Sequence, residues 1–360
     1  MKHSIAFVCC SRARDGTFID GRLLFNLVRE RVPARWYQCV DPYSAHDYFC
    51  EEGVVRGLHL PGHTLEEGIN RLWVFPRRLR NLREEVVLAM DPTLVNLPLK
   101  GKVGIIKVND IRPLTVYSDR FATRLMFSYA LNRLRRFEWI VTLSDYTKTQ
   151  LEAEGIDRDH IEVLPEPSRF YVEKNLRVER TWHPASGQDP FMVTYVATDR
   201  PYKNVDFFLQ LAKKFGDEGA GIGFRLVSRL RPATFRKIES LGLRNFTVLE
   251  SVDNIAGVYE RTDLLVHPSL YEGFGLPLVE AMSFGIPVLA NRRRPMSDVV
   301  GDAGILLEPN DLDGWADSIR ALSAGIGYDE LSRRAFERSD AFAPERIRLR
   351  VQDAFSKILA

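Results

Sequence analysis

The residues with the clearest chemical potential lie in one short stretch, His267 to Leu289, which reads HPSLYEGFGLPLVEAMSFGIPVL. Two carboxylates in it, Glu272 and Glu280, have seven residues between them. A carboxylate can accept two hydrogen bonds from the vicinal hydroxyls of a ribose or a hexose, which a cationic side chain cannot do. The pair therefore suits a polyhydroxylated ligand, although such pairs also arise by chance in a chain with 48 acidic residues.

Glycines and a proline between the two carboxylates indicate how the backbone would meet such a ligand. Gly273 and Gly275 let the backbone approach a ligand closely, and Pro277 suits a helix start, where its missing N–H is not needed. The start of this helix is expected to direct free N–H groups and a partial positive charge at the ligand, as phosphate sites do. Glu280 is expected on an accessible first turn of this helix, where it could contact the ligand. The alternative is that its carboxylate only complements the helix dipole.

Two basic residues, Arg200 and Lys203, follow another apolar run, Phe191 to Ala197, in a loop that contains Pro201. In doubly wound α/β sheets, phosphates bind at the carboxyl ends of strands, next to a helix start. We therefore predict that Lys203 contacts a diphosphate. The alternative is that Lys203 is a solvated surface side chain. This alternative has more weight for Arg200.

Short apolar runs that alternate with helical patterns must position these residues. The runs are Ser4–Cys10, Trp36–Val40, Glu85–Met90, Val103–Val108, Trp139–Leu143 and Ile161–Leu164, then Phe191–Ala197, Gly223–Ser228, Phe246–Leu249, Asp263–His267, Pro287–Ala290 and Gly304–Leu307. Helical patterns such as Asn204 to Phe215 lie between them. This alternation predicts an α/β protein whose parallel sheets carry helices on both faces.

The chain length predicts how these elements divide. A chain of 360 residues suits two domains of about 150 residues each. Residues 171–190 carry prolines and charges without periodic apolar residues, as interdomain linkers do. We therefore expect an N-terminal Rossmann-like domain over residues 1–170, a linker over 171–190 and a second domain over 191–344. Two such domains imply a central cleft.

Composition excludes several classes of protein. Lys and Arg total 50 against 48 acidic residues, so no net field favours nucleic acid. The first residues do not resemble a secretory signal, and no run approaches about 18 apolar residues, so we expect a cytoplasmic protein. The cysteines, Cys9, Cys10, Cys39 and Cys50, show neither zinc spacing nor a disulfide framework, and reduced thiols are expected.

No metal site is predicted from the residue types. The seven histidines are scattered, and no pair of carboxylates is interpreted as holding Mg²⁺ against a diphosphate. We expect that no metal or other cofactor is required and that basic residues neutralise a leaving diphosphate. His267 precedes Pro268 at a strand end and is interpreted as a packed core residue, with a catalytic acid as the alternative.

The segment PSLYEGFGLPLVEAMSFGIPV resembles the donor-site signature of retaining GT-B glycosyltransferases, the family 4 (group 1) set. YVATDRPYKN (Tyr195–Asn204) is similar to its phosphate-binding loop, and VNDIRPL (Val108–Leu114), TLSDYTKTQL (Thr142–Leu151) and EVLPEPSRF (Glu162–Phe170) follow its order. The resemblance implies two Rossmann-like doubly wound domains that face a central cleft. The acceptor would bind in the first domain and the nucleotide-sugar donor in the second, and the helix at 345–360 would pack back on the first.

The same resemblance assigns roles to single residues. Arg200 and Lys203 would hold the donor diphosphate, Glu280 the ribose diol, and Glu272 with the backbone of Phe274 to Leu276 the transferred sugar. It implies transfer of a hexose from a UDP-, GDP- or ADP-sugar to a sugar or lipid-linked acceptor, with retention of anomeric configuration. The residues themselves leave open the base, the sugar and the acceptor.

Departures from the family pattern affect the expected contacts. Ala197 stands where a glycine is common, so base recognition is left open, and Glu166-Pro167 stands where Asn-Gly is usual. Asn109 takes the place of a histidine that faces the sugar in many relatives; Asn can form hydrogen bonds but cannot titrate. Gly16 is the N-terminal glycine expected against the donor, with a plain turn as the alternative.

Other functions stay open at this point. A nucleotide-sugar epimerase or a glycogen-phosphorylase-like enzyme could use the same fold, and a non-enzymatic two-domain sugar-binding protein is a further alternative. An NAD dehydrogenase is disfavoured because no G-x-G-x-x-G follows the run at Ser4 to Cys10. The basic helix Arg120 to Arg136 is either a solvated face or a surface attracted to anionic lipid, which would place the protein peripherally at the inner membrane face.

Overall fold

The structure is a computed structural model that describes residues 3–11, 16–41, 53–60, 63–111, 121–178, 180–185, 189–216 and 221–360. The chain forms two compact units. The first comprises Met1–Glu166 together with Ile347–Ala360, and the second comprises Pro167–Arg346. The residues in each range are consecutive, so the second unit is one continuous stretch of chain whereas the first is built from two.

The first unit contains a seven-stranded parallel sheet. Its strands are β1 (Ile5–Cys9), β2 (Ala34–Val40), β3 (Gly53–Arg56), β4 (Val86–Ala89), β5 (Val103–Val108), β6 (Trp139–Thr142) and β7 (Ile161–Val163). Their order in the sheet is β3-β2-β1-β4-β5-β6-β7. All residues of β1 are buried, as expected for a strand covered on both faces.

Helices cover this sheet. They are α1 (Gly16–Arg29), α2 (His63–Ile69), α3 (Phe75–Arg78), α4 (Phe121–Arg133) and α5 (Asp145–Ala153). A π-helical turn, Asn70–Val74, joins α2 to α3, and a 3₁₀ turn, Leu134–Arg136, extends α4. Ser144 caps α5 by accepting a hydrogen bond from the backbone N–H of Thr147 at 3.2 Å.

The second unit contains a six-stranded parallel sheet. Its strands are β8 (Phe191–Val196), β9 (Ile222–Val227), β10 (Phe246–Leu249), β11 (Leu264–His267), β12 (Val288–Asn291) and β13 (Ile305–Leu307), in the order β10-β9-β8-β11-β12-β13. Its helices are α6 (Val205–Gly216), α7 (Pro232–Leu241), α8 (Ile255–Glu260), α9 (Leu276–Ser283), α10 (Met296–Val300), α11 (Leu312–Ser323) and α12 (Tyr328–Ser339). Both sheets have the strand order of doubly wound folds, which confirms the predicted fold class.

A last helix, α13 (Pro344–Ile358), contributes to the core of the first unit. Its buried apolar residues join the cluster that contains Phe7, Phe25 and Trp36. These residues, Ile347, Val351, Ala354, Phe355 and Ile358, recur at three- to four-residue intervals, so they form one face of the helix.

The stretch predicted as a linker, 171–190, belongs to the second unit and contacts the rest of that unit closely. Arg180 donates hydrogen bonds to the backbone oxygens of Tyr259, Glu260, Thr262 and Phe284 over 2.7–3.1 Å. The indole of Trp182 donates to the backbone oxygen of Ser323, the last residue of α11. These contacts hold the described residues of this stretch on the second unit.

Two further expectations can be compared with the described residues. Cys9, Cys10 and Cys39 are buried free thiols, whereas Cys50 lies outside the part of the chain that the structure describes. Burial raises the pKa of the Cys9 thiol to about 12, so it stays protonated. Among the described helices, none combines the length and the apolar character that crossing a membrane would require.

Candidate functional site

The topology of the second sheet brings the two candidate loops together. Strands β8 and β11 are neighbours and run in parallel, with Leu264 opposite Val193. The strand order reverses between them, and in doubly wound sheets this switch point is where ligands bind, beyond the carboxyl ends of the strands. The loop after β8 carries Arg200 and Lys203, and the loop after β11 carries Glu272.

Backbone and side-chain hydrogen bonds fix the first of these loops. Residues Pro201–Lys203 form a 3₁₀ turn that ends at Asn204, whose φ of 54° is left-handed. The hydroxyl of Tyr195 donates to the backbone oxygen of Lys203 at 2.6 Å. The N–H of Leu270 donates to the backbone oxygen of Tyr202 at 2.7 Å, which ties the two loops to each other.

The side chains of Lys203, Glu272 and His267 form one charged cluster. The Nζ atom of Lys203 lies 2.5 Å from Oε1 of Glu272, and Nε2 of His267 lies 2.9 Å from the same oxygen. Burial raises the pKa of the Glu272 carboxyl, but the opposing effects of Lys203 and His267 are larger, so the pKa lies well below its ordinary value. Glu272 is therefore a stable carboxylate over the physiological pH range.

His267 is fully buried, as its interpretation as a core residue predicted. Its ring packs edge-on against Tyr195, with the ring centroids 5.6 Å apart. Its bond to Glu272 is an additional finding, because the sequence indicated packing alone. Since its Nδ1 is buried without a hydrogen-bond partner in the described structure, the bond through Nε2 is what orients the ring.

The glycine loop leads into α9 as the sequence predicted. Gly275 is the N-cap residue, with φ of 105°, and a Cβ atom there would meet Cδ1 of Leu278 at 3.1 Å. The positive φ favours glycine, and a Cβ atom would in addition displace the Leu278 side chain slightly. Leu276 is the first residue of the helix, and Phe274 is buried with its ring 5.7 Å from that of Phe342. The start of α9 lacks a side-chain cap, so its N–H groups are suited to an anion.

Glu280 does not lie where the sequence placed it. It is in the second turn of α9 rather than the first, and it is buried, with 2% of its surface exposed. Nε of Arg169 donates to its Oε1 at 2.8 Å, and Nη2 of Arg169 bonds the same oxygen. The hydroxyl of Tyr259 donates to Oε2 at 2.7 Å. The prediction that Glu280 lies on an accessible first turn is therefore wrong.

The environment of Glu280 shifts its pKa in the direction opposite to that of Glu272. Burial raises the pKa of the Glu280 carboxyl, and although Arg169 and Tyr259 oppose that effect, the net shift is upward. Sequence reasoning missed both partners. The only signal was an arginine within the otherwise uncharged segment Pro167 to Phe170.

The remaining predicted residues of the second unit flank the cluster. Arg200 is exposed at the start of the 3₁₀ turn, and no ion pair joins it to a described carboxylate. Ala197 follows β8 and donates its N–H to the backbone oxygen of Val227 at 3.0 Å. Gly273 directly follows Glu272 in the loop after β11.

Asn109 and Gly16 lie in the first unit. Asn109 follows β5, where the buried Lys107 donates to its side-chain oxygen and also pairs with Asp20. Burial lowers the pKa of the Lys107 ammonium to about 8, although Glu166 opposes this shift. Gly16 begins α1, and residues 12–15 before it lie outside the described part of the chain.

The described residues contain no group of three or more His, Cys, Asp or Glu side chains arranged to hold a metal ion. Within that part of the chain, the cations next to Glu272 are Lys203 and, when it is protonated, His267.

Comparison with known proteins gives matches over the second unit and over the whole fold. Residues 190–324 match the family model described as glycosyl transferases group 1. The O-antigen chain mannosyltransferase B of Escherichia coli is 46% identical over 61 residues, 17% of this chain and 16% of that protein. The O-antigen chain mannosyltransferase RfbU of Salmonella typhimurium is 24% identical over 220 residues, 60% of this chain and 59% of that protein. The chain thus spans less than two thirds of each relative.

A solved structure of Anabaena HepE in complex with UDP and glucose has a TM-score of 0.76 and 16% identity to this chain. The match covers 99% of this chain and 100% of that one. The chain is therefore an α/β protein of the GT-B type, with two parallel-sheet Rossmann-like domains. The match to the glycosyl transferases group 1 model falls within the second unit, and Lys203, Glu272 and Glu280 lie among the matched residues.

Proposed function

We propose that the protein is a retaining glycosyltransferase of family 4 that moves a hexose from a nucleotide-sugar donor to a sugar or lipid-linked acceptor. The observation that carries this proposal is the pairing of Lys203 with Glu272 at the switch point of a group 1 domain. The pair provides a cation for a diphosphate and an ionised carboxylate for sugar hydroxyls, next to the uncapped start of α9.

The catalytic role of the cations follows from where charge develops. As the bond between sugar and nucleotide breaks, negative charge accumulates on the departing diphosphate. In this proposal Lys203, Arg200 and the N–H groups at the start of α9 stabilise that charge. The diphosphate carries more negative charge in the transition state than in the ground state. These preorganised groups therefore stabilise the transition state more than the ground state.

Glu272 binds the transferred sugar in this proposal rather than removing a proton. Its lowered pKa makes it a weak base, and Lys203 and His267 occupy part of the hydrogen-bonding capacity of Oε1. The acceptor attacks the face of the sugar that the nucleotide leaves, and a donor phosphate oxygen takes the acceptor proton. Asn109 would add a hydrogen bond to the sugar, and Gly16 a close backbone approach to the donor.

The proposed contact between Glu280 and the ribose diol requires a side-chain movement. Both bonds from Arg169 go to Oε1, and Oε2 accepts from Tyr259, so ribose hydroxyls reach the carboxylate only if Arg169 is displaced. The Arg169 side chain is 31% exposed, which leaves it room to move toward solvent.

Thermal denaturation with UDP, GDP, ADP and their sugars tests the donor proposal. A ligand at 100 times its dissociation constant stabilises the folded protein by roughly 2.7 kcal/mol, so the cognate nucleotide should raise the melting temperature clearly. UDP is the first to try because HepE binds it, and mannose the first sugar because two relatives are named mannosyltransferases. The Lys203→Ala variant is the matched control, and failure of every nucleotide to stabilise the parent protein would contradict the proposal.

We also propose that transfer requires no metal ion. Basic side chains and the start of α9 supply the positive charge that a divalent cation would otherwise provide. Activity should therefore persist in excess EDTA. Activity lost in EDTA and restored by Mg²⁺ or Mn²⁺ would show that the diphosphate is neutralised differently.

A further inference from the structure

A second concave site lies in the first unit, away from the residues discussed above. It is an open groove of about 460 Å³, within the range of volumes in which small ligands bind. Three arginines, an asparagine and a tryptophan line it: Arg77, Arg133, Arg136, Asn96 and Trp73. The indole of Trp73 is 59% exposed at this surface.

The groove concentrates positive charge without a balancing carboxylate. None of its described lining residues is acidic, and within the described chain none of its three arginines forms an ion pair. Burial and then the charge of Arg133 lower the pKa of the Arg136 guanidinium, which shows that the two cations are close enough to repel. An anion between them would relieve that repulsion.

A hydrogen bond and a cation–π contact hold two of the three arginines in position. Nη1 of Arg136 donates to the backbone oxygen of Val95 at 2.6 Å, which leaves its other nitrogens as donors. The Arg133 guanidinium lies over the ring of Tyr129, 5.5 Å from its centroid. The Tyr129 hydroxyl in turn donates to Oδ1 of Asn96 at 3.2 Å. Arg133 and Arg136 therefore have defined contacts without any ligand.

The groove is distinct from the sheet edge at which Asn109 lies. Asn109 directly follows the carboxyl end of β5. Arg133 ends α4 and Arg136 ends the 3₁₀ turn after it, just before β6 begins at Trp139. A helix that connects two parallel strands runs antiparallel to them. The end of α4 and the turn after it, which carry these arginines, therefore lie toward the amino ends of the strands.

We propose that this groove binds the phosphate group of an ester, with Arg133 and Arg136 as its principal ligands and Arg77 at its rim. Guanidinium groups bind phosphate through paired N–H donors, which gives both strength and orientation. Trp73 and the adjacent Leu72 and Pro76 offer an apolar wall to the carbon part of the ester. This inference does not rest on the proposed transfer reaction, because no residue of the two sites is shared.

Two probes distinguish a soluble ester from a lipid headgroup. Inorganic phosphate is titrated while tryptophan fluorescence is followed, and vesicles of equal parts phosphatidylglycerol and phosphatidylcholine are tested by co-sedimentation. Both assays use the Lys203→Ala background, so that phosphate bound at the donor site does not contribute. Binding of phosphate alone indicates a soluble ester, and binding of vesicles alone indicates a headgroup; either supports the site.

Arginine variants decide whether the groove is responsible. The Arg133→Gln/Arg136→Gln double variant should weaken binding of the active probe by about tenfold or more, and the exposed Arg77→Gln by less. Arg78→Gln is the matched control for Arg77→Gln, since Arg78 is an exposed arginine of the same helix, α3, but does not line the groove. The Arg78→Gln variant should bind the probe as the parent does.

Three results would overturn the proposal: no binding of either probe to the parent, unchanged binding by the double variant, or an equal loss in Arg78→Gln. Circular dichroism checks the fold of each variant. If the double variant does not fold, Arg77→Gln and Trp73→Phe carry the test. Stabilisation by a nucleotide sugar, measured with native Lys203, should be the same in the groove variants and the parent.

Discussion

The surroundings of Glu272 and those of Glu280 differ although both residues belong to one short stretch of chain. Glu272 accepts hydrogen bonds from Lys203 and His267, and its pKa is lowered. Glu280 is more deeply buried, bonded to Arg169 and Tyr259, and its pKa is raised. An arginine partner alone therefore does not guarantee a lowered pKa, because burial can outweigh it.

The difference separates two kinds of contribution. At Glu272 the favourable interactions of the ionised carboxylate exceed the cost of burial, so the charge is available to a ligand. At Glu280 the favourable interactions are smaller than the cost of burial. The main role of this carboxylate is therefore structural, because it joins Pro167–Phe170 to α8 and α9. The predictions below test whether this division is correct.

The largest effect is expected for Lys203→Ala. Removal of one preorganised group that stabilises developing charge commonly costs about 10² to 10³ in rate, and kcat at saturating donor should fall by that factor. Lys203→Arg should recover only part, since a planar guanidinium does not replace a compact ammonium. Steady-state kinetics with donor well above KM measures the change.

The alanine variant must be shown to fold before its kinetics are interpreted, and circular dichroism provides that check. A folded variant with kcat within about threefold of the parent would remove Lys203 from the diphosphate site. The Glu272 cluster would then be structural, and the comparison between the two carboxylates would lose its functional meaning.

Glu272→Gln should have the next largest effect, on stability. The substitution leaves Lys203 beside a neutral amide in a mostly buried place, and loss of one partner from a buried pair costs about 3 kcal/mol at the lower end of its range. Urea denaturation at neutral pH measures the change in free energy of unfolding. A loss below about 0.5 kcal/mol would mean that the pair behaves as a surface ion pair.

Glu280→Ala should weaken binding of the nucleotide diphosphate by about 1.5 to 3 kcal/mol if the carboxylate binds the ribose, as for a charge-assisted hydrogen bond. Because Glu280 is buried, the variant should also be less stable, contrary to what an accessible carboxylate would predict. Calorimetric titration and urea denaturation measure the two effects. An unchanged dissociation constant with reduced stability would assign Glu280 a structural role alone.

The smallest predicted effect is a difference in pH dependence. The pKa of Glu272 is lowered on folding, so its contribution to stability is present above the unfolded pKa and is lost as acid protonates the folded protein. The pKa of Glu280 is raised, so its contribution is present below the unfolded pKa and declines as pH rises through the folded pKa.

The free energy of unfolding of the parent, Glu272→Gln and Glu280→Gln is measured from acid to neutral pH. The difference between the parent and each variant should change with pH in opposite directions for the two variants. The advantage of the parent over Glu272→Gln should shrink in acid, and its advantage over Glu280→Gln should shrink toward neutral pH. Parallel curves for the two variants would show that the environments of the carboxylates are alike.

The sequence predicted most of the fold because buried parallel strands are continuous apolar runs. Each of its strand predictions corresponds to an observed strand, whereas β3 was missed because Gly53–Arg56 is mostly exposed and short. The start of α9 was predicted correctly because Pro277 suits the first turn of a helix, where its missing N–H is not needed.

The partners of the two carboxylates could not be predicted in the same way. Arg169 precedes Glu280 by 111 residues, and their contact depends on how the segment after β7 packs against α8 and α9. The protonation behaviour of Glu280 depends on that packing and on its depth, neither of which has a local sequence signature.

The division of the first unit into two stretches has a consequence for synthesis on the ribosome. Helix α13 supplies five buried side chains to that unit, yet it is translated after the whole of the second unit. The second unit, Pro167–Arg346, can complete its fold while the first still exposes the apolar surface that α13 will cover. Assembly of the later-translated unit can therefore precede that of the earlier one, and the emerging first unit is the part for which a chaperone would be needed.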